Sequence, residues 1–423
     1  MMENNKKKLL YISNRVFWPP MGGHEVELFH YCRGLHEKFG YEIDVFVFDD
    51  EKKITNQTIP FFLNDIYFEK RIGYATKVWN IIWKSILSKE KWPIQNSLYY
   101  SSENASRIVK LMKKNNYDVV IVDMIRLATY YSAISSFRCK KILDIDDTLS
   151  KRYKRQMNVI TSKTSIAGQY NEKLPVFIQR ILQSTTVKKV ILKIEIPRME
   201  LAEKRYADLF ERVIFVSPIE TDEFNKKYKT NRAVTVGLGV DYQYFSEKLL
   251  VNKNKGKVTF VGNMATPANA DSVRYIINQV LPRSKNIDSL VCVGNCPDSL
   301  RKEYCKNNKV FFTGKVDDLR TYVEESMVFL APIAYGTGIK TKILEAMAMG
   351  MPVVTNSIGA EGIPGINGQH WYVSDDSAEI ARYTDELLMS QQKCDEIGLR
   401  ARKFVESTYQ WDIIFEQFKE LDL

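Results

Sequence analysis

The sequence predicts an α/β protein built as two successive parallel-sheet domains. Three observations predict it. The chain has 423 residues, too many for one comfortable core and enough for two large domains or three small ones. Short uninterrupted apolar runs recur along it, as expected of strands buried on both faces of a parallel sheet, and helical stretches separate them. Last, the stretch Val328 to Asn356, VFLAPIAYGTGIKTKILEAMAMGMPVVTN, reads as strand, glycine-bearing turn, helix and second strand.

Composition narrows the class. Hydrophobic residues make up 45% of the chain, an ordinary share for a folded protein. The net charge of +10 is spread along the chain, a sign that suits nucleic acid, an anionic membrane or a phosphorylated substrate. No stretch has the length and purity of a transmembrane span. In the opening MMENNKKKLLYIS the apolar run is short and interrupted by Asn14 and Arg15, so Leu9 to Ser13 reads as a first strand and not as a signal peptide. The 6 cysteines lack paired spacing, which fits a reducing compartment. Cys292 and Cys296 have only Cys305 as a nearby sulfur and no histidine close, so they read as buried free thiols and not as a metal site.

The first strand leads through Pro19, Pro20, Gly22 and Gly23 into a helix from about Glu25 to Lys38, then a strand from Glu42 to Phe48. Strand, glycine loop, helix and strand open a right-handed βαβ unit, with Gly22 and Gly23 at the helix entrance where a phosphate can rest. The spacing matches neither a dinucleotide fingerprint nor a P-loop. His24, His30 and His36 recur at a spacing that does not give one metal-binding helix face. In Tyr74 to Pro93 the residues Trp79, Ile82, Trp83, Ile86 and Leu87 share a helical face, with Lys77, Lys84, Lys89 and Lys91 at its margins. That arrangement suits either an anionic lipid surface or a core-facing amphipathic helix. A helix from Asn104 to Lys114 precedes the buried strand Val119 to Met124, whose exit carries Asp123 and Arg126.

Ile142 to Ile145 is the next strand, with Asp144, Asp146 and Asp147 at or past its end. DIDDTLS resembles the first motif of haloacid-dehalogenase-type phosphatases, which would make Asp144 a nucleophile and Asp146 an acid/base around magnesium. Against that reading, the motif falls after several α/β units and no lysine and paired-aspartate set follows. A long helix from Ile194 to Glu211, a strand Val213 to Val216 and the segment Ala233 to Val240 complete the first domain. Tyr242 to Gly256, charged and without apolar period, reads as a linker. In the second domain, Val258 to Gly262, Leu290 to Gly294 and Val310 to Gly314 read as strands, and Ser377 to Met389 and Glu396 to Tyr409 as helices. The terminal YQWDIIFEQFKEL carries Trp411, Ile414, Phe415 and Phe418 on one face, enough to pack on a neighbouring domain. The expected boundaries are therefore 1–241, a linker at 242–256, 257–408, and a C-terminal helix at 409–423.

The chemistry concentrates in the late stretch. Parallel sheets bind ligands beyond the carboxyl ends of their strands, glycines at Gly336 and Gly338 let backbone approach a ligand, and a helix N-terminus attracts phosphate. Lys340 and Lys342 add charge, while Glu345 lies too far along for phosphates and suits sugar hydroxyls. An ordinary strand-turn-helix unit with solvated lysines would read the same way.

Together these residues resemble the family-4 glycosyltransferases of the GT-B fold, especially bacterial members that build surface glycans. The likeness is carried by PPMGGHEVELFHYCRGL, YDVVIVDMIR, ILDIDDTLSKRY, FERVIFVSPIETDEF, VGLGVDYQYF, VTFVGNMATPANADSVRYI, the YGTGIKTKILEAMAMGMPVVTNSIGAEGI stretch and the final YQW. The resemblance implies two Rossmann-like domains with an interdomain cleft, and a nucleotide-sugar donor held mainly by the second. It implies transfer to a saccharide or lipid-linked saccharide with retained anomeric configuration, with no cofactor, no obligatory metal and no nucleic acid partner. Carried over, Glu345 would accept from the ribose hydroxyls, Gly336 and Gly338 would lie by the donor, and the loop at Gly22 and Gly23 would approach its diphosphate. Lys340 would neutralise the leaving group. The sequence departs from the family at Thr337, where many relatives have an acid, and at GNMATPANADS, where they often place arginine and lysine. No histidine lies near Ile142 to Thr148, where many relatives have one; Asp144 and Asp147 occupy that neighbourhood as catalytic candidates. A non-catalytic nucleotide-sugar-binding protein stays open for the same reason. The expected location is cytoplasmic, peripheral at the inner face of the cell membrane through the Trp79/Trp83 segment.

Overall fold

The computed structural model describes residues 7–20, 22–48, 59–69, 72–158, 184–249 and 251–423. The chain divides into two compact units, the first formed by 1–151, 192–237 and 411–423, the second by 152–191 and 238–410.

The first unit is a seven-stranded parallel sheet of β1 (Lys8–Ser13), β2 (Glu42–Val47), β3 (Leu63–Phe68), β4 (Val119–Asp123), β5 (Lys140–Asp146), β6 (Arg212–Phe215) and β7 (Ala233–Thr235). Their order is β3-β2-β1-β4-β5-β6-β7. The sheet therefore reverses direction between β1 and β4, and side chains at the carboxyl ends of those two strands flank an opening. Leu9, Leu10, Tyr11 and Ile12 are wholly buried because helices cover both faces of β1. Strand β3 was not legible in the sequence: LNDIYF is an edge strand with a largely exposed first half, so it carries no apolar run. The helix expected from Ile194 begins at Thr185 and runs to Leu209 with Pro197 inside it.

The C-terminal residues return to this unit. Trp411–Glu416 is helical, with Trp411, Ile414 and Phe415 buried, and it lies on the helix Gly23–Phe39. Trp411 stacks on His30 at 4.2 Å between ring centroids, and Gln417 Oε1 accepts from Gly237 N at 2.7 Å.

The second unit is a six-stranded parallel sheet of β8 (Lys257–Val261), β9 (Ser289–Val293), β10 (Val310–Gly314), β11 (Val328–Ala331), β12 (Val353–Thr355) and β13 (Tyr372–Val373), in the order β10-β9-β8-β11-β12-β13. Its reversal lies between β8 and β11, so the turn after β11 and the loop after β8 face one another. Residues 242–256, expected as a linker, fall within this unit. Asp241 caps a short helix Tyr242–Ser246, and Lys248 Nζ donates to Met349 O at 2.5 Å. Each sheet has the Rossmann-like parallel order that the sequence predicts.

Candidate functional site

In the second unit, β11 ends at Ala331 and the chain turns through Gly336 (φ 153°) and Gly338 (φ 69°) into the helix Thr341–Ala348. Both angles lie where a side chain is strained, so the turn requires glycine twice. Lys340 occupies the helix N-cap, and its ammonium donates to Thr337 O at 2.9 Å and Gly338 O at 2.5 Å. It ties the turn together from within. Lys342 reaches the other way: its Nζ donates to Asn269 Oδ1 at 2.7 Å and lies 4.6 Å from the centroid of the Phe260 ring. A Cβ on Gly262, just past β8, would stand 2.8 Å from that Nζ, so the missing side chain makes the lysine's place.

Lys340 and Lys342 line a cavity of ≈ 370 Å³ together with Asn269, Tyr335, Gly336 and Thr337. Glu345 sits three residues beyond Lys342 on the same helix, half-buried on the same face. Burial lowers the Lys342 ammonium to a pKa of about 7 despite the opposing charge of Glu345. Burial raises the Glu345 carboxyl to about 7, partly offset by Lys342. The pair is thus poised near neutrality, and an arriving anion would shift it. Thr337, which stands where relatives carry an acid, accepts from Arg152 Nε at 3.1 Å through its hydroxyl. Glu361 of the GAEGI motif pairs with Arg155, at 2.5 and 2.7 Å.

The first unit holds a second cluster at its own sheet reversal. Asp123, at the end of β4, accepts from Ser13 Oγ at 3.2 Å and from Asn14 N at 3.4 Å, both at the end of β1. Its other oxygen lies 2.8 Å from His24 Nε2. His24 Nδ1 lies 3.2 Å from Glu27 Oε2, one helical turn on, and 3.6 Å from Asp146 Oδ2. Asp146 has φ 66°, a left-handed conformation at the end of β5 that turns the chain out of the sheet. Burial alone would lower the His24 pKa, but Asp123 and Glu27 raise it well above the ordinary histidine value. Burial and the neighbouring Asp146 push Glu27 up to about 8.

The sequence-derived site residues sort accordingly. Gly336, Lys340 and Lys342 line the cavity, while Gly338 belongs to the adjoining turn and Glu345 lies further along the helix. Gly22 caps the helix Gly23–Phe39, and a Cβ there would meet nothing nearer than 4.0 Å, which leaves its loop open to a ligand. Asp144 does not reach any ligand: it is 0% exposed, and one oxygen accepts from Tyr11 OH at 2.8 Å. Burial, with the nearby Glu27 and Asp123, raises its pKa well above the carboxylate range. Asp147 is likewise buried. His24 was missed because helical spacing tested it only against His30 and His36. Its partners are strand ends 99 residues away in sequence, and the available signal was its place directly after the glycine pair.

The amphipathic segment Tyr74 to Leu87 is inverted relative to a core helix. Asn80 and Ser85 face inward, with Asn80 Nδ2 donating to Ser97 O at 3.0 Å and Ser85 Oγ bonded to Ser97 Oγ at 2.8 Å. Trp79 is 61% exposed and Trp83 49%, with Ile82, Ile86 and Leu87 exposed beside them. The core-facing reading therefore fails. No described helix is long and apolar enough to cross a membrane.

Residues 255–390 match the family model for Glycosyl transferases group 1, which places the glycine-lysine turn, Lys342 and Glu345 inside the matched region. A Klebsiella pneumoniae protein described as an uncharacterized 44.6 kDa protein in the cps region is 22% identical over 98% of this chain and 99% of its own length. Among solved structures, sucrose-phosphate synthase from Thermosynechococcus elongatus superposes with a TM-score of 0.69 at 14% identity, covering 99% of this chain and 98% of that one. Anabaena HepE in complex with UDP and glucose gives 0.66 at 13% identity, covering 98% of each chain. TarM gives 0.67 at 12% identity, covering 100% and 99%. The architecture is that of the GT-B fold, shared by these structures along nearly the whole chain.

Proposed function

We propose that the protein is a retaining glycosyltransferase that moves a hexosyl group from a nucleotide-sugar donor to a saccharide or lipid-linked saccharide in surface-glycan biosynthesis. The cavity at the sheet reversal of the second unit carries this reading: Lys340 and Lys342 both line it beside the glycine turn, with Glu345 one helical turn further on. Lys340 and Lys342 would meet the diphosphate and stabilise it as it leaves, so the donor half requires neither a metal nor an organic cofactor at the diphosphate. Glu345 would accept from the ribose hydroxyls. Support comes from the complexes of HepE with UDP and with UDP-glucose, and from the cps-region relative, which fits a surface-glycan role.

Calorimetry and product analysis with a panel of uridine, guanosine, adenosine, cytidine and thymidine sugars test the reading, with saccharide and lipid-linked acceptors present. One donor should bind and be consumed. Glu345→Gln should weaken its binding by about 1.5–3 kcal/mol, the worth of a hydrogen bond to a charged group, without unfolding the protein. Neither binding nor transfer across the panel would overturn the proposal; tight binding without transfer to any acceptor would favour a nucleotide-sugar-binding protein instead.

Attachment to the cytoplasmic face of an anionic membrane belongs to the same reading. Outward-facing Trp79, Trp83, Ile86 and Leu87, with exposed Lys89 and Lys91 beside them, suit the headgroup boundary, where apolar groups insert and lysines meet phosphate. Replacing both tryptophans (Trp79→Ser with Trp83→Ser) should reduce sedimentation with anionic vesicles several-fold. The melting temperature should hardly move, since neither ring is in the core. High salt should loosen the wild-type protein from the vesicles. Equal sedimentation of variant and wild type would end the membrane assignment.

A further inference from the structure

We propose that His24, Glu27 and Asp146 form a binding site for a divalent first-row transition-metal cation in the first unit. Among the described residues, these three each place a ligand atom within 4.8 Å of the others. The separations from His24 Nδ1, 3.2 Å to Glu27 and 3.6 Å to Asp146, are close to those of ligands sharing one ion. Atoms bound at about 2.0–2.2 Å to a single cation stand roughly 3–3.5 Å apart.

The ring orientation is also right. His24 turns Nε2 to Asp123, which is wholly buried and held by Ser13 and Asn14, leaving Nδ1 for the ion. A carboxylate behind a ligating imidazole fixes its tautomer and orientation. The second and independent observation is an orphan. Glu27 is 1% exposed, and its Oε1 has no hydrogen-bond partner, as is also true of Oδ1 on the wholly buried Asp144. A buried carboxylate oxygen without a partner is costly, and a cation held by both oxygens of Glu27 would satisfy it. Glu27, Asp123 and Asp146 all approach the imidazole, and a dication would relieve the repulsion between Glu27 and Asp146 more fully than one proton does. The side chains of His24 and Asp146 are 12% and 18% exposed, which leaves the ion one open side. Imidazole with two carboxylates selects Mn²⁺ or Zn²⁺ over Ca²⁺, which prefers an all-oxygen shell.

The test uses the full chain freed of metal by a chelator and dialysed. Mn²⁺ binding is followed by the loss of the free-ion spin-resonance signal, Zn²⁺ binding by calorimetry, and both by the melting temperature. One ion per chain is expected, with a rise in melting temperature and Ca²⁺ bound at least tenfold more weakly. Asp146→Asn should weaken Mn²⁺ at least tenfold, and His24→Gln should do the same. Asp146 lies at a partly exposed strand end, so its variant keeps the test valid if the histidine variant does not fold. Two outcomes would overturn the site: no saturable binding to the wild-type chain at millimolar Mn²⁺ or Zn²⁺, or unchanged affinity in Asp146→Asn. Nucleotide binding in the second unit plays no part in either readout.

Discussion

Lys342→Met should abolish a proton uptake that accompanies nucleotide diphosphate binding, and it should slow sugar transfer by about 10²–10³. The half-buried Lys342 has a pKa of about 7, so at pH 8 only about a tenth of the chains carry the charge. A diphosphate in the cavity stabilises the ammonium and raises its pKa, and the protein then takes up close to one proton from solution. The second ionisation of phosphate has its midpoint near pH 6, so the ligand's charge changes little between pH 7 and 9. Affinity should therefore fall with rising pH across that range, approaching tenfold per unit while the bound-state pKa stays above the solution pH. Calorimetry in two buffers of different protonation enthalpy reads the uptake directly. Methionine keeps an apolar stem beside Phe260, so the variant isolates the charge. A binding enthalpy independent of buffer in the wild type would remove Lys342 from the diphosphate.

Phe415→Ala should cost the first unit about 3–5 kcal/mol, the usual range for emptying a buried phenylalanine site. The ring is wholly buried against the helix Gly23–Phe39, and a Cβ on Gly34 would stand 2.4 Å from it. Gly34 is therefore the recess into which the C-terminal helix sets its aromatic face. Gly34→Ala should destabilise by about 1–3 kcal/mol through overpacking, because a fully enclosed ring cannot step aside. Denaturant or thermal melting checks both. Wild-type stability in Phe415→Ala would show that the terminal helix contributes nothing to the unit.

Much of this was written in linear sequence. Uninterrupted runs such as Leu9 to Ile12 and Val119 to Val122 can only be strands buried on both faces, so parallel sheets followed from them. The glycine-lysine stretch was legible because φ angles of 153° and 69° demand glycine, and the terminal Trp411, Ile414, Phe415 and Phe418 because one helical face repeats. What remained was decided by which way side chains point and by what distant strands bring together. Lys340 and Lys342 look equivalent in sequence, yet helix phase turns one ammonium onto its own turn and the other toward β8. The Trp79 face could as well have been core; only packing reveals that Asn80 and Ser85 take the inner side. Asp144 and Asp146 are two residues apart on β5, and the left-handed kink at Asp146 separates a sealed carboxylate from one that reaches His24. Parallel pairing of β1, β4 and β5 assembles that cluster from residues as far apart as Tyr11 and Asp146. Local pattern specifies the strands, but which strand ends become neighbours depends on the order of the sheet, and that order is a property of the folded chain alone.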